Sequence, residues 1–206
     1  VMLRDGAAHN DIVENVVVGA GQGGIYVNGF TNTMRQPASA GHRPAHNLIS
    51  GNHVHHCGLY YVHVAGIYLA CADHTTVAHN DVHHMPRYGI SLKQACPNSV
   101  IEYNDVRWTN LATRDTGAIE MAGNKAGTVV RFNLITDAVG SGYISNVGHH
   151  ASPCDAGGIY LDNMSSNVHV HGNIIVRTEC GIWLNWGSSN IIEQNIIVDS
   201  RAAHAF

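Results

Sequence analysis

A short apolar segment recurs along this chain with the same alternation of residues each time. A small residue precedes isoleucine, and a polar or aromatic residue and a second aliphatic residue follow, as in Gly158-Ile159-Tyr160-Leu161. Because strand side chains point alternately to opposite faces, the pattern predicts a strand that buries its isoleucine and its second aliphatic residue. The aligned isoleucines are Ile25, Ile67, Ile90, Ile119, Ile159 and Ile182. Recurrence at intervals of roughly 23 to 42 residues indicates a repeating architecture.

A column of asparagines accompanies the isoleucines at similar intervals. Each asparagine is followed two positions later by valine or isoleucine, and the gaps between successive asparagines track those between the isoleucines. The members are Asn15, Asn52, Asn80, Asn104, Asn133, Asn173 and Asn195. An asparagine amide suits a tight corner, where it can bond to the backbone and to the asparagine of the next coil. Two columns with matching intervals predict a solenoid with a minimal coil of about 22–24 residues.

Three short strands in each coil, stacked aliphatic residues and an asparagine ladder are typical of a right-handed parallel β-helix. The pattern resembles the pectate-lyase-like superfamily over nearly the whole chain. We therefore expect an all-β solenoid of about six to seven coils, with residues 1–206 forming a single domain. Neither end of the sequence shows a segment that would cap the solenoid. The domain is therefore expected to be the central part of a longer chain, or to have its ends covered by flanking domains or a capping partner.

Composition narrows the classes of partner. Only 11 lysines and arginines and a formal net charge of −4 argue against nucleic acid, because phosphates require basic patches. The chain has no run of about 18 apolar residues, so no membrane span is predicted.

Five cysteines leave two alternatives open. Cys71 and Cys96 are predicted in turns of adjacent coils, and Cys154 and Cys180 in another pair of equivalent turns. Either pair could form a disulfide, which would suit a secreted or periplasmic protein. The alternative is buried free thiols stacked in the turns.

The 16 histidines raise the question of a metal site. The pairs His53/His55 and His169/His171 each place two imidazoles on one face of a strand, which could hold an ion. A solvated strand face is the commoner use of such spacing, so no metal site is predicted. His149 and His150 lie in a long insert, residues 136–156, that we expect to border the substrate groove and to contact the substrate.

The outward positions of the aligned strands form a ribbon rich in aromatic residues. Its members are Tyr26, Tyr68, Ser91, Glu120, Tyr160 and Trp183. Flat aromatic faces along a groove suit sugar rings, so Tyr68, Tyr160 and Trp183, with Lys93 beside them, are predicted to bind a polysaccharide or oligosaccharide. The alternative is the ordinary preference of tyrosine and tryptophan for strands.

Acidic residues concentrate at the centre of this ribbon. The segments that begin at Asp115 and Asp155 match position for position, so both aspartates are expected in equivalent turns of adjacent coils. Glu120 lies in the ribbon, and Asp162 follows the next strand in line with Lys93. Coils about 4.8 Å apart could bring these four carboxylates within roughly 10 Å, which would raise at least one pKa. Alternatively, Asp155 and Asp162 simply fill turns.

The segments Asp115-Thr-Gly-Ala-Ile-Glu120 and Gly158-Ile-Tyr-Leu-Asp162 resemble those of carbohydrate-active β-helix glycoside hydrolases. The resemblance implies hydrolysis without a cofactor, with Asp115 and Asp162 as the acid/base pair and with Glu120 and Asp155 beside them. Glu120 departs from the aromatic residue expected at its position, which leaves the individual roles open.

Two rival functions remain. One is a calcium-dependent polysaccharide lyase, in which the four carboxylates hold Ca²⁺ and Lys93 or Arg87 abstracts a proton. The low number of cationic residues weighs against the uronate substrate that this reaction needs. The other is a non-catalytic sugar-binding or structural β-helix module, in which the aromatic residues matter and the acids do not.

Overall fold

A computed structural model describes residues 1–29, 42–140 and 156–205. Within these ranges, 22 short strands form three parallel sheets, which confirms the all-β parallel β-helix. Seven coils each contribute one strand to every sheet, and an eighth strand joins the first sheet. In the part of the chain that is described, no helix is long and apolar enough to cross a membrane.

The first sheet carries the aligned isoleucines. Its strands are β1 (Met2–Arg4), β4 (Ile25–Asn28), β7 (Ala65–Ala70), β10 (Tyr88–Lys93), β13 (Thr116–Ala122), β16 (Ala156–Asp162), β19 (Cys180–Leu184) and β22 (Ala203–Ala205). The second sheet contains β2 (Asp11–Val13), β5 (Leu48–Ser50), β8 (Thr76–Ala78), β11 (Val100–Glu102), β14 (Val129–Arg131), β17 (His169–His171) and β20 (Ile191–Glu193). The third contains β3 (Val16–Val18), β6 (His53–His55), β9 (Asp81–His83), β12 (Asp105–Arg107), β15 (Leu134–Thr136), β18 (Ile174–Val176) and β21 (Ile196–Val198).

The isoleucine column is stacked in the interior as predicted. All six aligned isoleucines are fully buried, and each is the direct partner of the next across neighbouring strands. The central residues of the second-sheet and third-sheet strands, such as Val77 and Val82, complete this core. Burial of these aliphatic side chains is the main force that closes each coil.

Close packing explains the small residue before each isoleucine. A Cβ added at Gly66 would lie 2.5 Å from Cγ1 of Val82, and one added at Gly89 would lie 2.4 Å from Cγ1 of Val106. The first and third sheets meet at this corner, so a larger side chain would push the coil open.

The asparagine ladder is present at the corner between the second and third sheets. The Nδ2 of each predicted member donates to Oδ1 of the next at 2.9 Å, from Asn15 through to Asn195. Each Oδ1 also accepts the backbone N–H of the preceding member at 3.0 Å. The ladder therefore satisfies buried backbone groups that a corner would otherwise leave unpaired.

The cysteines divide between the two alternatives. Cys71 and Cys96 are buried free thiols, so a disulfide between them is wrong. The thiol of Cys96 donates to the backbone carbonyl of Lys93 at 3.2 Å. Burial raises the pKa of this thiol to about 11. Cys180 is disulfide-bonded, while Cys154, its proposed partner, lies outside the described residues.

One lysine is completely buried. Lys125, in the turn after β13, donates from Nζ to the carbonyl of Ala122 at 2.6 Å and to the carbonyl of Gln94. Burial lowers the pKa of this ammonium to about 8, because the charged form loses its hydration.

Candidate active site

The strand register brings the predicted ribbon together on the outer face of the first sheet. Tyr68 and Glu120 both pair with Ser91, and Trp183 pairs with Tyr160. Tyr160 in turn pairs with Glu120, so the ribbon is continuous from its acidic centre to its aromatic end. One coil separates each member from the next, as the intervals of the isoleucines require.

Two of the predicted acids meet at the hydroxyl of Tyr160. The hydroxyl lies 2.9 Å from Oδ1 of Asp162 and 3.2 Å from Oδ1 of Asp115. The two carboxylate oxygens therefore cannot be farther apart than these two hydrogen bonds placed end to end. A hydroxyl has one proton to donate, so it can donate to only one of the two aspartates at a time.

Asp162 is held by additional donors. Nδ2 of Asn185 donates to its Oδ1 at 2.7 Å, and Nδ2 of Asn163 donates to its Oδ2 at 2.5 Å. The side chain of Asp162 is nearly buried, whereas Asp115 is exposed. The pair thus combines one fixed carboxylate with one that is open to solvent.

Arg87 fixes the turn that carries Asp115. Its guanidinium donates to the backbone carbonyl of Asp115 at 2.6 Å and to that of Arg114 at 3.0 Å. Asp115 itself has a left-handed backbone, with a φ of 51°. Such a conformation costs about 1 kcal/mol or more in a residue with a side chain, so the guanidinium contacts help to hold it.

Tyr160 is suited to act as a neutral hydrogen-bond donor. Burial raises the pKa of its phenol, and the neighbouring carboxylates of Asp162 and Asp115 raise it further. The hydroxyl therefore keeps its proton at neutral pH.

Glu120 occupies a separate contact. Its carboxylate accepts a hydrogen bond from Oγ of Ser91 at 2.8 Å and forms an ion pair with Nζ of Lys93. Burial raises the pKa of Glu120 against the opposing effects of Lys93 and Ser91. Nζ of Lys93 also lies 3.4 Å from the hydroxyl of Tyr88 and over the Tyr88 ring. Glu120 thus serves as the counter-ion of Lys93 and is not part of the Asp115–Asp162 pair.

The aromatic members form one stacked pair and one tilted pair. Tyr160 and Trp183 stack with centroids 4.0 Å apart and planes inclined by 7°, and Tyr26 and Tyr68 lie 5.1 Å apart. Tyr160 is only 1% exposed, so its ring is not an open platform for a sugar. Trp183 is half-buried and presents the accessible ring of that pair.

A cavity of about 470 Å³ lies on the same face, in the coils before the aspartate pair. Tyr26, Tyr68, Tyr88, His63 and Lys93 are among its lining residues. The aspartates do not line it, but Lys93 is only two strands from Asp162 in the register of the sheet. The cavity and the aspartate pair therefore lie on the same face of the first sheet, and we call this face the groove of the first sheet.

Some predicted site residues remain predictions, and three residues that contact the site were missed. Asp155, His149 and His150 lie outside the described residues, as does most of the insert expected to border the groove. Asn163, Asn185 and Tyr88 were not identified from the sequence. Asn185 stands two positions after Trp183, as Asp162 does after Tyr160, so the column alignment contained the signal for it.

Comparisons with known proteins agree with this fold. The family described as "Right handed beta helix region" matches residues 1–152. A solved structure described as a glycoside hydrolase resembles the chain with a TM-score of 0.72 and 17% identity, covering 96% of this chain and 34% of that one. The alginate lyase from Paenibacillus sp. str. FPU-7 has a TM-score of 0.66 and 14% identity, with coverage of 98% and 67%.

A third similar structure is the enzymatically active domain of bacteriophage CBA120 tailspike protein 2. Its TM-score is 0.52 at 16% identity, and the match covers 89% of this chain and 32% of that one. No curated protein matches the sequence significantly. This chain spans about a third of the length of the glycoside hydrolase, and identities this low show the shared fold alone.

Proposed function

This chain belongs to the family of right-handed β-helix regions, and we propose that it hydrolyses glycosidic bonds of a polysaccharide or oligosaccharide in the groove of the first sheet. The observation that carries the proposal is that Asp115 and Asp162 both lie within hydrogen-bond distance of the Tyr160 hydroxyl. Two carboxyl groups facing one scissile bond are the usual machinery of glycoside hydrolysis. The half-buried ring of Trp183 and the aromatic cavity on the same face support a sugar substrate.

The separation of the two carboxylates favours a retaining route. Contacts of 2.9 and 3.2 Å to one shared hydroxyl keep their oxygens closer than the roughly 6.5–9.5 Å that inverting enzymes need to admit a water molecule. In this proposal Asp162, which is held by its amide donors, attacks the anomeric carbon as nucleophile. Asp115, open to solvent, gives a proton to the leaving oxygen as the glycosidic bond breaks. Asp115 then takes a proton from the water that hydrolyses the glycosyl ester and releases Asp162.

The contacts of the cationic residues give less support to a lyase. Burial opposes the charge on Lys93, but the Glu120 carboxylate outweighs it and raises the pKa of Lys93, so the amine keeps its proton. Arg87 is engaged by two backbone carbonyls. Neither group is therefore poised as a base, and Glu120 is already paired and so is a poor Ca²⁺ ligand.

The decisive experiment replaces each carboxylate by its amide. Asp115→Asn and Asp162→Asn should each lower the release of reducing ends from a panel of polysaccharides at least about 100-fold, because proton transfer or nucleophilic attack is lost. Ligand binding should remain close to that of the unaltered protein. Asp11→Asn is the matched control, since Asp11 is exposed on the second sheet, and it should retain full activity.

Three results would contradict the hydrolase. Unaltered rates in both variants would remove the aspartates from the chemistry. An ultraviolet-absorbing unsaturated product that disappears with a chelator would identify a calcium-dependent lyase. Sugar binding without any turnover, lost on replacing Trp183, would identify a non-catalytic module.

Tyr160→Phe tests the shared hydroxyl separately. The variant keeps the ring stacked on Trp183 but removes the hydroxyl that contacts both aspartates, so kcat should fall about 10-fold or more while the circular dichroism spectrum stays that of the folded protein. Tyr103→Phe, at an exposed corner, is the control. Equal kcat values for Tyr160→Phe and the unaltered protein would show that the hydroxyl has no part in the reaction.

A further inference from the structure

Five histidines from two adjacent coils cluster on the third sheet, away from the groove of the first sheet. His53 and His55 point outward from β6, and His83 points outward from β9 as the direct partner of His55. His56 and His84 follow directly at the corner, each with a left-handed backbone, and their rings stack at 4.4 Å. The stacking of the two coils thus gathers imidazoles from separate parts of the sequence into one group.

Three of these imidazoles converge. Ring nitrogens of His53, His55 and His83 all lie within 4.8 Å of one another. Nε2 of His53 is 2.8 Å from Nε2 of His83. In a tetrahedral site with Zn–N bonds of about 2.0–2.1 Å, ligating nitrogens are about 3.3 Å apart. If side-chain rotation moved Nε2 of His53 and Nε2 of His83 about 0.5 Å farther apart, an ion would fit between them.

The corner histidines orient two of the three rings. Nδ1 of His83 lies 2.7 Å from Nδ1 of His84, and Nδ1 of His55 lies 2.8 Å from Nδ1 of His56. A neutral imidazole has one donor nitrogen and one acceptor nitrogen. If His55 and His83 donate from Nδ1 to their corner neighbours, their Nε2 lone pairs are left to bind a metal. Histidines that bind a metal regularly donate their other ring N–H to an acceptor outside the site, and the corner imidazoles would be such acceptors here.

A second pair with the same spacing shows what is special about this place. His169 and His171 also lie two positions apart on one strand, β17. Their partners in the neighbouring strands are Val129 and Arg131 on one side and Ile191 and Glu193 on the other. The two-residue spacing is therefore common to both histidine pairs. Among the residues described, only the pair His53 and His55 receives another imidazole from a neighbouring coil.

Two carboxylates and one guanidinium lie around the histidine cluster. Oδ2 of Asp81 lies 3.3 Å from Nε2 of His53 and adds a negative charge at the edge of the cluster. Arg107, one coil further on, is paired with Asp81 at 2.6 Å and with Asp105 at 2.9 Å. The guanidinium is thus neutralised by two carboxylates, which reduces its repulsion of a cation at the three histidines.

We propose that His53, His55 and His83 bind one divalent first-row transition-metal ion, such as Zn²⁺, that joins the coils of β6 and β9. Imidazole suits Zn²⁺, Cu²⁺ and Ni²⁺, whereas Ca²⁺ and Mg²⁺ prefer oxygen ligands. The site lies on a different sheet from the groove, so the ion acts on stability and the proposal does not depend on the hydrolytic function.

Zn²⁺ itself is the probe for the test. The full chain without a histidine tag is stripped with a chelator, and Zn²⁺ binding is measured by titration calorimetry. One equivalent should bind, and the thermal midpoint should rise with Zn²⁺ and fall again with chelator. His83→Ala and His53→Gln should each weaken binding at least about 10-fold. The double variant His169→Ala/His171→Ala should bind like the unaltered chain.

The variants also define failure. No saturable Zn²⁺ binding by the unaltered chain would overturn the proposal, as would unchanged affinity in His53→Gln. Binding lost equally in the His169/His171 double variant would place the ion elsewhere. Because His83 is nearly buried, circular dichroism must show that His83→Ala is folded, and His53→Gln, at a half-buried position, decides the matter if it is not.

Discussion

Asn104→Ala should be among the most destabilising polar substitutions in this chain. Asn104 stands in the middle of the asparagine ladder and is 1% exposed. Its Oδ1 accepts the backbone N–H of Asn80 at 3.0 Å, and its Nδ2 donates to the carbonyl of Val77 at 3.0 Å. The N–H of Asn80 loses this acceptor in the variant, at a depth that water does not reach.

The expected loss follows from these contacts. An unsatisfied buried N–H costs about 1–3 kcal/mol, and a lost hydrogen bond to a carbonyl costs about 0.5–1.5 kcal/mol. The free energy of unfolding should therefore fall by about 2–4 kcal/mol. Asn15→Ala, in the first rung, is the matched control. Asn15 is exposed, and the Oδ1 of Asn52 still accepts the backbone N–H of residue 15, so no buried group is left unpaired.

Urea unfolding followed by far-ultraviolet circular dichroism measures both variants, after refolding traces are shown to overlay. The unfolding free energies are then compared by linear extrapolation. If Asn104→Ala costs no more than Asn15→Ala, the ladder does not stabilise the coils by pairing buried backbone groups.

Two further predictions concern the interior. Ile159→Ala should lower the free energy of unfolding by about 2–5 kcal/mol, because it leaves a cavity in the core. Ile174→Ala, at a side chain that is 42% exposed, should lower it by less than about 1 kcal/mol. Similar losses for the two variants in urea unfolding would contradict the stacked core. The second prediction concerns Lys125, whose pKa of about 8 lies below the ordinary 10.5. Between these two pH values the unfolded chain binds more protons than the folded chain, so the free energy of unfolding should rise with pH. Relative to Lys125→Met, the unaltered chain should gain up to about 3 kcal/mol across this pH range, and parallel pH profiles would refute the shift.

The fold could be predicted because every coil repeats the same requirement. An isoleucine such as Ile119 must meet the isoleucines of both neighbouring coils, and an asparagine such as Asn104 must meet two others. Insertions change the intervals but not the order of the two columns. Alignment of the columns therefore predicts the register of the first sheet.

The candidate site could be predicted only in part. The aligned isoleucine column predicted that Asp162 lies one coil away from the strand that follows Asp115. In the structure, both aspartates contact the Tyr160 hydroxyl. They could not reveal that Lys93 neutralises Glu120, because a register fixes neighbouring positions but not the directions of long side chains. Nor could they identify Lys125 as buried, since lysine in a turn is usually exposed.

The intervals between the aligned isoleucines have a consequence for how this scaffold can diverge. The stretch from Ile25 to Ile67 is much longer than that from Ile159 to Ile182, yet both pairs are direct partners across neighbouring strands. The alignment of neighbouring strands depends on which residues face each other and not on the length of chain between them. Segments that leave after β4 or return before β16 can therefore be exchanged for shorter or longer ones without changing the framework. For the proposed hydrolase, grafting at these two junctions offers a route to new substrate preferences in which β13 and β16 keep their alignment.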